Sequence, residues 1–218
     1  MAGYALIEQE VEAAGRRWHL ETLADRQQFH DPGGALEARG ISPAVWSLFG
    51  VVWPAGLLLA DTMADHPVEG KRILEAGCGL AIASMVLADR QADVTASDMH
   101  PLAGEFLERN AVRNGVRTVP FRVMDWRQQY EGAMFDMIIG SDLLYERGQP
   151  ELLAEFIEGH IRAEASVVLA DPGRGQSTRF NKLMQANGFN VEETFYGKAR
   201  LTRYARSTRS HHGAISTT

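Results

Sequence analysis

Cysteine is almost absent from this 218-residue sequence, which contains Cys78 alone. A single cysteine excludes a disulfide within the chain and a zinc site built from cysteines. Histidine is sparse as well, with seven scattered residues, of which only His211 and His212 are adjacent. We therefore expect no metal site.

The sequence also lacks a long uninterrupted apolar run. Its longest stretch without a charged residue, residues 41–60, is broken by two serines, two prolines and two glycines. A membrane-spanning helix needs about 20 mainly apolar residues in succession, so we expect no membrane anchor. The N-terminal residues lack the basic start and apolar core of a secretory signal. These features favour a cytoplasmic protein.

Basic residues are outnumbered, with 22 Lys and Arg against 28 Asp and Glu and a net charge of −6. Every acidic residue lies at or before Glu193, whereas five basic residues follow it. The acidic body argues against a nucleic acid partner, because phosphates require positive charge. It is compatible with a basic segment of a protein partner, and equally with a surface that only keeps the protein in solution.

The hydrophobic content of 45% suffices for the core of one domain. Turn-forming residues cluster between residues 25 and 56, and Ser, Thr, Arg and His dominate the end of the chain. We expect an N-terminal extension over residues 1–53, a main domain over 54–205 and a flexible tail over 206–218.

Residues 1–28 are compatible with two structures. Ile7, Val11, Ala14 and Trp18 have the spacing of a helical stripe, whereas Gly15 separates two alternating segments that suit a hairpin. The sequence leaves both possibilities open.

From Pro54 onward, apolar strands alternate with amphipathic helices. The pattern predicts helices at 54–66, 80–89, 101–114, 149–162 and 176–187, and strands at 72–76, 93–97, 118–124, 134–140, 166–170, 190–196 and 199–205. The last two strands flank Gly197 and Lys198, which favour a hairpin turn. This alternation predicts a Rossmann-like, doubly wound α/β fold, with a mostly parallel seven-stranded sheet and a C-terminal antiparallel hairpin.

Residues suited to a nucleoside follow the first three strands. Glu75, Gly77, Cys78 and Gly79 form a strand-to-helix turn in which glycines let a ligand approach the backbone. A carboxylate such as Asp98, 19 residues after Gly79, suits the two hydroxyls of a ribose. Asp125 and Trp126 follow the third strand and suit the edge and the plane of an adenine ring.

Each of these signals has a structural alternative. A Gly-x-Gly turn also serves as a tight connection, Asp98 also suits a helix N-cap, and Trp126 also suits the core. Their order along three strands favours a nucleoside lying across the sheet. A dinucleotide is disfavoured, because its fingerprint requires a third glycine where this chain has Ile82.

Over residues 45–205 the chain resembles the seven-stranded S-adenosylmethionine-dependent methyltransferases. Within them it is similar to the protein lysine methyltransferase branch that includes the enzyme acting on the electron-transfer flavoprotein beta subunit. The motifs concerned are Val52-Trp53-Pro54-Ala55, Asp98-Met99-His100-Pro101-Leu102-Ala103-Gly104, Ser141-Asp142-Leu143-Leu144-Tyr145-Glu146 and Ala170-Asp171-Pro172-Gly173-Arg174. The resemblance implies S-adenosylmethionine as cofactor, bound by Trp53, Gly77, Cys78, Gly79, Asp98, Trp126 and Ser141. The family usually has a glycine at the position of Ala81.

Asp142 and Tyr145 follow the fourth strand and are the candidate catalytic residues. A carboxylate there suits an acceptor ammonium, and an aromatic ring favours a cation. The alternative is that Asp142 caps the next helix while Tyr145 only packs. The leading hypothesis is an N-methyltransferase acting on a protein lysine, and the main alternative is a small amine or nicotinamide-like acceptor. An NAD-dependent oxidoreductase and an inactive cofactor-binding module are further alternatives.

Overall fold

The chain begins with an antiparallel hairpin of β1 (Leu6–Ala13) and β2 (Arg16–Leu23). The computed structural model describes residues 3–128, 130, 134–173 and 175–207. Ala14 and Gly15 both have positive φ, 55° and 66°, as a two-residue turn of type I′ requires. Of the two structures that the sequence left open for this segment, the hairpin is the one formed.

The rest of the chain alternates helices and strands, after short 3₁₀ helices at Glu37–Arg39 and Trp46–Gly50. The elements are α1 (Pro54–Asp65), β3 (Arg72–Ala76), α2 (Ile82–Asp89), β4 (Asp93–Asp98), α3 (Leu102–Arg113), β5 (Phe121–Val123), β6 (Phe135–Ser141), α4 (Gln149–His160), β7 (Ile161–Asp171), α5 (Ser177–Ala186), β8 (Asn190–Tyr196) and β9 (Ala199–Arg206).

Seven strands form one sheet in the order β5-β4-β3-β6-β7-β9-β8. The strands from β5 to β7 run parallel, and β9 pairs antiparallel with both β7 and β8. The predicted Rossmann-like fold with a C-terminal hairpin is therefore confirmed. The chain reverses its direction of winding between β3 and β6, and the carboxyl ends at such a switch point form a crevice that binds ligands.

Both faces of the sheet are covered. Ile73 and Ile139 belong to one buried cluster, which also contains side chains of α1, α2 and α3, whereas Leu74 and Ile138 belong to the other, with α4 and α5. Adjacent residues of a strand thus bury opposite faces, which explains why the strands are continuous apolar runs. Trp18 of the hairpin lies in the first cluster.

Two predicted strands differ from the structure by more than two residues at one end, whereas the other predicted helices and strands agree with it to within two residues. The third strand spans only Phe121–Val123 rather than 118–124. β7 begins at Ile161, directly after α4, rather than at 166. Residues 162–164 are exposed and the register with β6 shifts before Met137, so no apolar pattern marks this part of the strand.

The domain limits at 53 and 205 stay predictions, and residues 208–218 of the predicted tail lie outside the described part of the chain. Among the described residues, no helix is long and apolar enough to cross a membrane.

Candidate active site

A cavity of ≈ 420 Å³ opens at the carboxyl ends of β3, β4 and β6. This volume lies within the range of about 300–1,000 Å³ that is typical of small-molecule sites. The structure brings all eleven predicted site residues to its walls: Trp53, Glu75, Gly77, Cys78, Gly79, Asp98, Asp125, Trp126, Ser141, Asp142 and Tyr145. Their individual roles stay predictions.

The glycine turn forms the floor of this cavity. Gly77 and Gly79 both have positive φ, 59° and 53°. A Cβ atom on Gly77 would stand 2.6 Å from Leu143 Cδ2, and one on Gly79 would stand 3.2 Å from the carbonyl oxygen of Phe49. Backbone therefore faces the cavity where a side chain has no room. Ala81, the N-cap residue of α2, also adopts a positive φ of 56°.

Asp98 links the turn after β3 to the loop after β4. Its Oδ2 accepts the N–H of Gly79 and its Oδ1 accepts the N–H of His100, both over 2.9 Å. The N-cap alternative is wrong, because the N-cap residue of α3 is Pro101 and the side chain that accepts the N–H of Leu102, the first residue of this helix, is that of His100. Desolvation in the cavity raises the pKa of Asp98, and the hydrogen bonds from the backbone oppose this rise.

Glu75 is the most deeply buried acid of the cavity, with 3% of its surface exposed. Its Oε2 accepts the backbone N–H of Ser84 over 2.9 Å and also the Ser84 hydroxyl hydrogen. Burial raises the pKa of Glu75 to about 7, although both hydrogen bonds favour the ionised form.

Asp125 is held by a residue that the sequence analysis missed. Arg127 Nε donates to Asp125 Oδ1 over 2.9 Å and Arg127 Nη2 donates to Asp125 Oδ2 over 2.7 Å. These hydrogen bonds lower the pKa of Asp125. Arg127 Nη2 also donates to the carbonyl of Arg39 over 2.9 Å, so the pair holds the end of the first 3₁₀ helix at the cavity rim. The only sequence signal was a basic residue two positions after an acid.

Trp126 lies both in the cavity wall and against the core, the two environments predicted for it. It lines the cavity and also packs on the second buried cluster, with its ring centroid 6.1 Å from that of Phe156. The opposite wall contains Trp53, whose indole N–H donates to the carbonyl of Leu48 over 2.9 Å. Because their rings are fixed by these contacts, both tryptophans present a preformed aromatic surface.

The mouth of the cavity lies after β6. The Asp142 N–H donates to the carbonyl of Ala170 over 2.9 Å, and Asp142 itself has a φ of 53°. Gln149, the first residue of α4, accepts the N–H groups of Tyr145 and Glu146 through its Oε1, both over 2.7 Å. Sequence reasoning missed Gln149, which folds the loop back on itself. Gly148 is the N-cap of α4, so Asp142 is not a helix cap.

Tyr145 is 39% exposed at this mouth. Desolvation, followed by the charge of Glu146, raises its pKa, so the phenol stays protonated at neutral pH. Its hydroxyl is therefore available as a hydrogen-bond donor beside the half-buried Asp142.

The motif after β7 forms a turn outside the cavity. Asp171 Oδ1 accepts the N–H of Gly173 over 2.7 Å and lies 3.6 Å from Arg200 Nη2. Arg174, the last residue of this motif, lies outside the described residues.

The charges of the cavity are mostly negative. Of the described residues that line it, five are acidic and only Arg127 is a permanent cation, already paired with Asp125. Such a site favours a cationic ligand and opposes a pyrophosphate. The glycine floor, Asp98 and Trp126 suit an adenosine, and the excess of carboxylates suits a sulfonium and an ammonium. The residues present therefore fit S-adenosylmethionine.

This fold and cavity define the class of Rossmann-like S-adenosylmethionine-dependent methyltransferases. The 16S rRNA N2 G1207 methyltransferase of Thermus thermophilus, solved with AdoMet and guanosine, has a TM-score of 0.63 and 14% identity, covering 93% of this chain and 51% of that one. Magnesium protoporphyrin IX methyltransferase of Synechocystis PCC 6803, solved with SAM, has a TM-score of 0.55 and 21% identity, covering 70% and 78%. These similarities show the shared fold.

The chain belongs to the lysine methyltransferase family, whose model matches residues 44–187. It is 30% identical over 135 residues to the electron transfer flavoprotein beta subunit lysine methyltransferase of Xenopus laevis, covering 60% of this chain and 53% of the relative. It is 30% identical over 179 residues to protein N-lysine methyltransferase METTL21A of Danio rerio, covering 76% and 81%. The release factor glutamine methyltransferase of Salmonella typhimurium is 33% identical over 162 residues, covering 69% and 57%. The chain spans 53–60% of the length of the flavoprotein-modifying relatives.

Proposed function

We propose that this chain methylates the side-chain amine of a lysine in a protein, with S-adenosylmethionine as the methyl donor. The observation that carries the proposal is the position of Asp142 and Tyr145, which flank the mouth of the same cavity that has the glycine floor. Membership of the lysine methyltransferase family supports it, as do the names of the relatives.

The cofactor is held by the floor and walls of the cavity. Asp98 suits the ribose, Trp126 and Asp125 flank the place of the adenine, and Gly77 and Gly79 admit the ligand to the backbone. When bound, S-adenosylmethionine supplies an electrophilic methyl group. Trp53 and Ser141 also line the cavity and complete the proposed cofactor pocket.

The acceptor is held by Asp142. A lysine arrives as an ammonium ion, which a carboxylate attracts, and it must lose a proton to expose the lone pair that accepts the methyl group. The proton leaves to solvent at the exposed mouth, and Asp142 orients the amine through this change. The Tyr145 ring favours the cationic form beside it. Holding the two reactants in line supplies much of the acceleration, with effective molarities of up to about 10⁵–10⁸ M.

Asp142→Asn tests this assignment. The variant should bind S-adenosylmethionine as the unaltered protein does in calorimetry, yet lose transfer of labelled methyl groups to lysate proteins by about 100-fold or more. Tyr145→Phe should also reduce transfer more than cofactor binding. Asp65→Asn, at the exposed far end of α1, is the matched control and should leave both unchanged.

Mass spectrometry of the labelled products identifies the acceptor. Label on lysine side chains supports the proposal, whereas label confined to glutamine, to nicotinamide or to another small amine overturns it. If the unsubstituted chain binds the cofactor but transfers no methyl group, and Asp142→Asn behaves in the same way, the protein is an inactive binding module. The cytoplasmic location expected from the sequence stays a prediction.

A further inference from the structure

Two carboxylates lie on neighbouring strands at the floor of the cavity. Glu75 is near the end of β3 and Asp98 ends β4, and both line the same space. Among the described residues, no basic side chain affects the pKa of either group. Hydrogen bonds from the backbone and from Ser84 offset part of their desolvation, and a proton or a cationic ligand offsets more of it.

Among the described residues, the elements packed against Glu75 bring hydrogen-bond donors or acidic groups to its carboxyl group, and no cation. From α2, Ser84 donates two hydrogen bonds to Glu75 Oε2. From β4 and the glycine turn, the nearest titratable groups are Asp98 and the Cys78 thiol, and neither brings positive charge. From β6, the register partner is the apolar Ile139.

We propose that S-adenosylmethionine binds with release of a proton from Glu75, and that Ser84 sets the pH at which this exchange occurs. The inference rests on the cofactor assigned above and not on the identity of the acceptor. A cation entering the cavity takes over the role of the proton, because it stabilises the ionised carboxylate in a poorly solvated site. Burial of the free carboxyl group, whose pKa is raised to about 7, places the exchange near neutral pH.

The release of a proton from Glu75 differs between binding of the cofactor and binding of the product. Methyl transfer converts the sulfonium into a neutral thioether, so the product S-adenosylhomocysteine carries one positive charge fewer. A less cationic ligand stabilises the ionised Glu75 less, and the carboxyl group retakes its proton more readily. Glu75 therefore favours the cofactor over the product at the floor of the site.

Calorimetry in buffers of different ionisation enthalpy measures the released protons directly. At pH 6.5 the unaltered chain should release more than half a proton per bound S-adenosylmethionine, since a group with a pKa of about 7 is mostly protonated there. S-adenosylhomocysteine should release fewer protons. The cofactor affinity should rise about fivefold from pH 6 to pH 7.

Three variants separate the role of the Glu75 carboxyl group from that of the Ser84 hydroxyl. Glu75→Gln should bind without this proton release, and its affinity should lose the rise with pH. Ser84→Ala removes one hydrogen bond that favours the carboxylate, so the rise should move to higher pH. Ser97→Ala is the matched control, because this buried hydroxyl donates to the Glu75 main-chain carbonyl over 2.9 Å and not to its carboxyl group.

The outcomes are distinct from those that concern the cofactor assignment. Absence of any binding heat together with no thermal stabilisation would reject S-adenosylmethionine itself. Binding with no proton release in the unaltered chain, or with equal release in Glu75→Gln, would overturn the role of Glu75. Equal release for the cofactor and its product would overturn the discrimination. An unchanged pH profile in Ser84→Ala would overturn the role of Ser84, and this test remains available if Glu75→Gln does not fold.

Discussion

The side-chain amide of Asn110 pairs with both backbone groups of Glu21. The Glu21 N–H donates to Asn110 Oδ1 over 2.7 Å, and Asn110 Nδ2 donates to the Glu21 carbonyl over 3.1 Å. One helical turn later, Asn114 forms the same two hydrogen bonds with His19, over 2.9 and 2.8 Å. Asn110 of α3 and Asn114, which directly follows this helix, thus pair with the backbone of β2 as a neighbouring strand would, and they hold the N-terminal hairpin against α3.

We expect Asn110→Leu to lower the free energy of unfolding by about 2–4 kcal/mol, because it leaves two backbone groups of Glu21 without their partner. Urea unfolding followed by circular dichroism measures the change. Val112→Ala on the same helix is the control, since Val112 is 75% exposed and its loss should cost less than about 0.5 kcal/mol. Similar values for the two variants would show that the asparagine does not hold the hairpin.

These asparagine contacts illustrate what the sequence alone does not determine. Periodicity near Val11 and Trp18 suited two structures, and the hairpin is stabilised by partners about 90 residues away. By contrast, β3 and β8 have the predicted bounds, because each is a continuous segment next to strong turn formers.

In the candidate site, too, some features were predictable from the sequence and others were not. The positions of Gly79, Asp98 and Trp126 around one cavity were predictable, because the carboxyl ends of parallel strands share an edge. The pairing of Asp125 with Arg127 and the loop bonds to Gln149 were not, since both depend on side-chain directions that only the folded chain specifies.

Gly79→Ala should destabilise the protein more than Gly115→Ala does. Both glycines have positive φ, 53° and 66°, so an alanine at either position has the conformational cost of about 1–2 kcal/mol. Only at position 79 does the new Cβ meet backbone, the Phe49 carbonyl at 3.2 Å, whereas nothing lies within 4 Å at position 115. We expect an additional loss of about 1 kcal/mol for Gly79→Ala in urea unfolding, together with weaker cofactor binding. Equal losses of unfolding free energy in the two variants would mean that the Phe49 backbone moves away from the new Cβ atom at no cost.

Trp126→Ala should weaken the binding of S-adenosylmethionine by about 10- to 100-fold, because stacking of a base on an aromatic side chain contributes about 1–3 kcal/mol. Calorimetric titration gives the dissociation constant. Trp126→Phe keeps an aromatic face and should retain most of the affinity. Thermal unfolding of both variants controls for the lost contact with Phe156. An unaltered dissociation constant in Trp126→Ala would remove this side chain from the cofactor site.

The free protein should lose stability through Glu75 as the pH rises. Burial raises the pKa of Glu75 to about 7 in the folded chain, above the value of 4.5 for an unperturbed glutamate. The folded state therefore holds this proton more tightly than the unfolded state, so its contribution is complete below pH 4.5 and disappears as the pH passes 7. Relative to Glu75→Gln, the unaltered chain should lose about 2 kcal/mol of unfolding free energy between pH 5 and pH 7.5. Urea unfolding at both pH values tests this, with Glu69→Gln at an exposed position as the control. A difference between the unaltered chain and Glu75→Gln that stays constant with pH would show that the two states bind this proton equally.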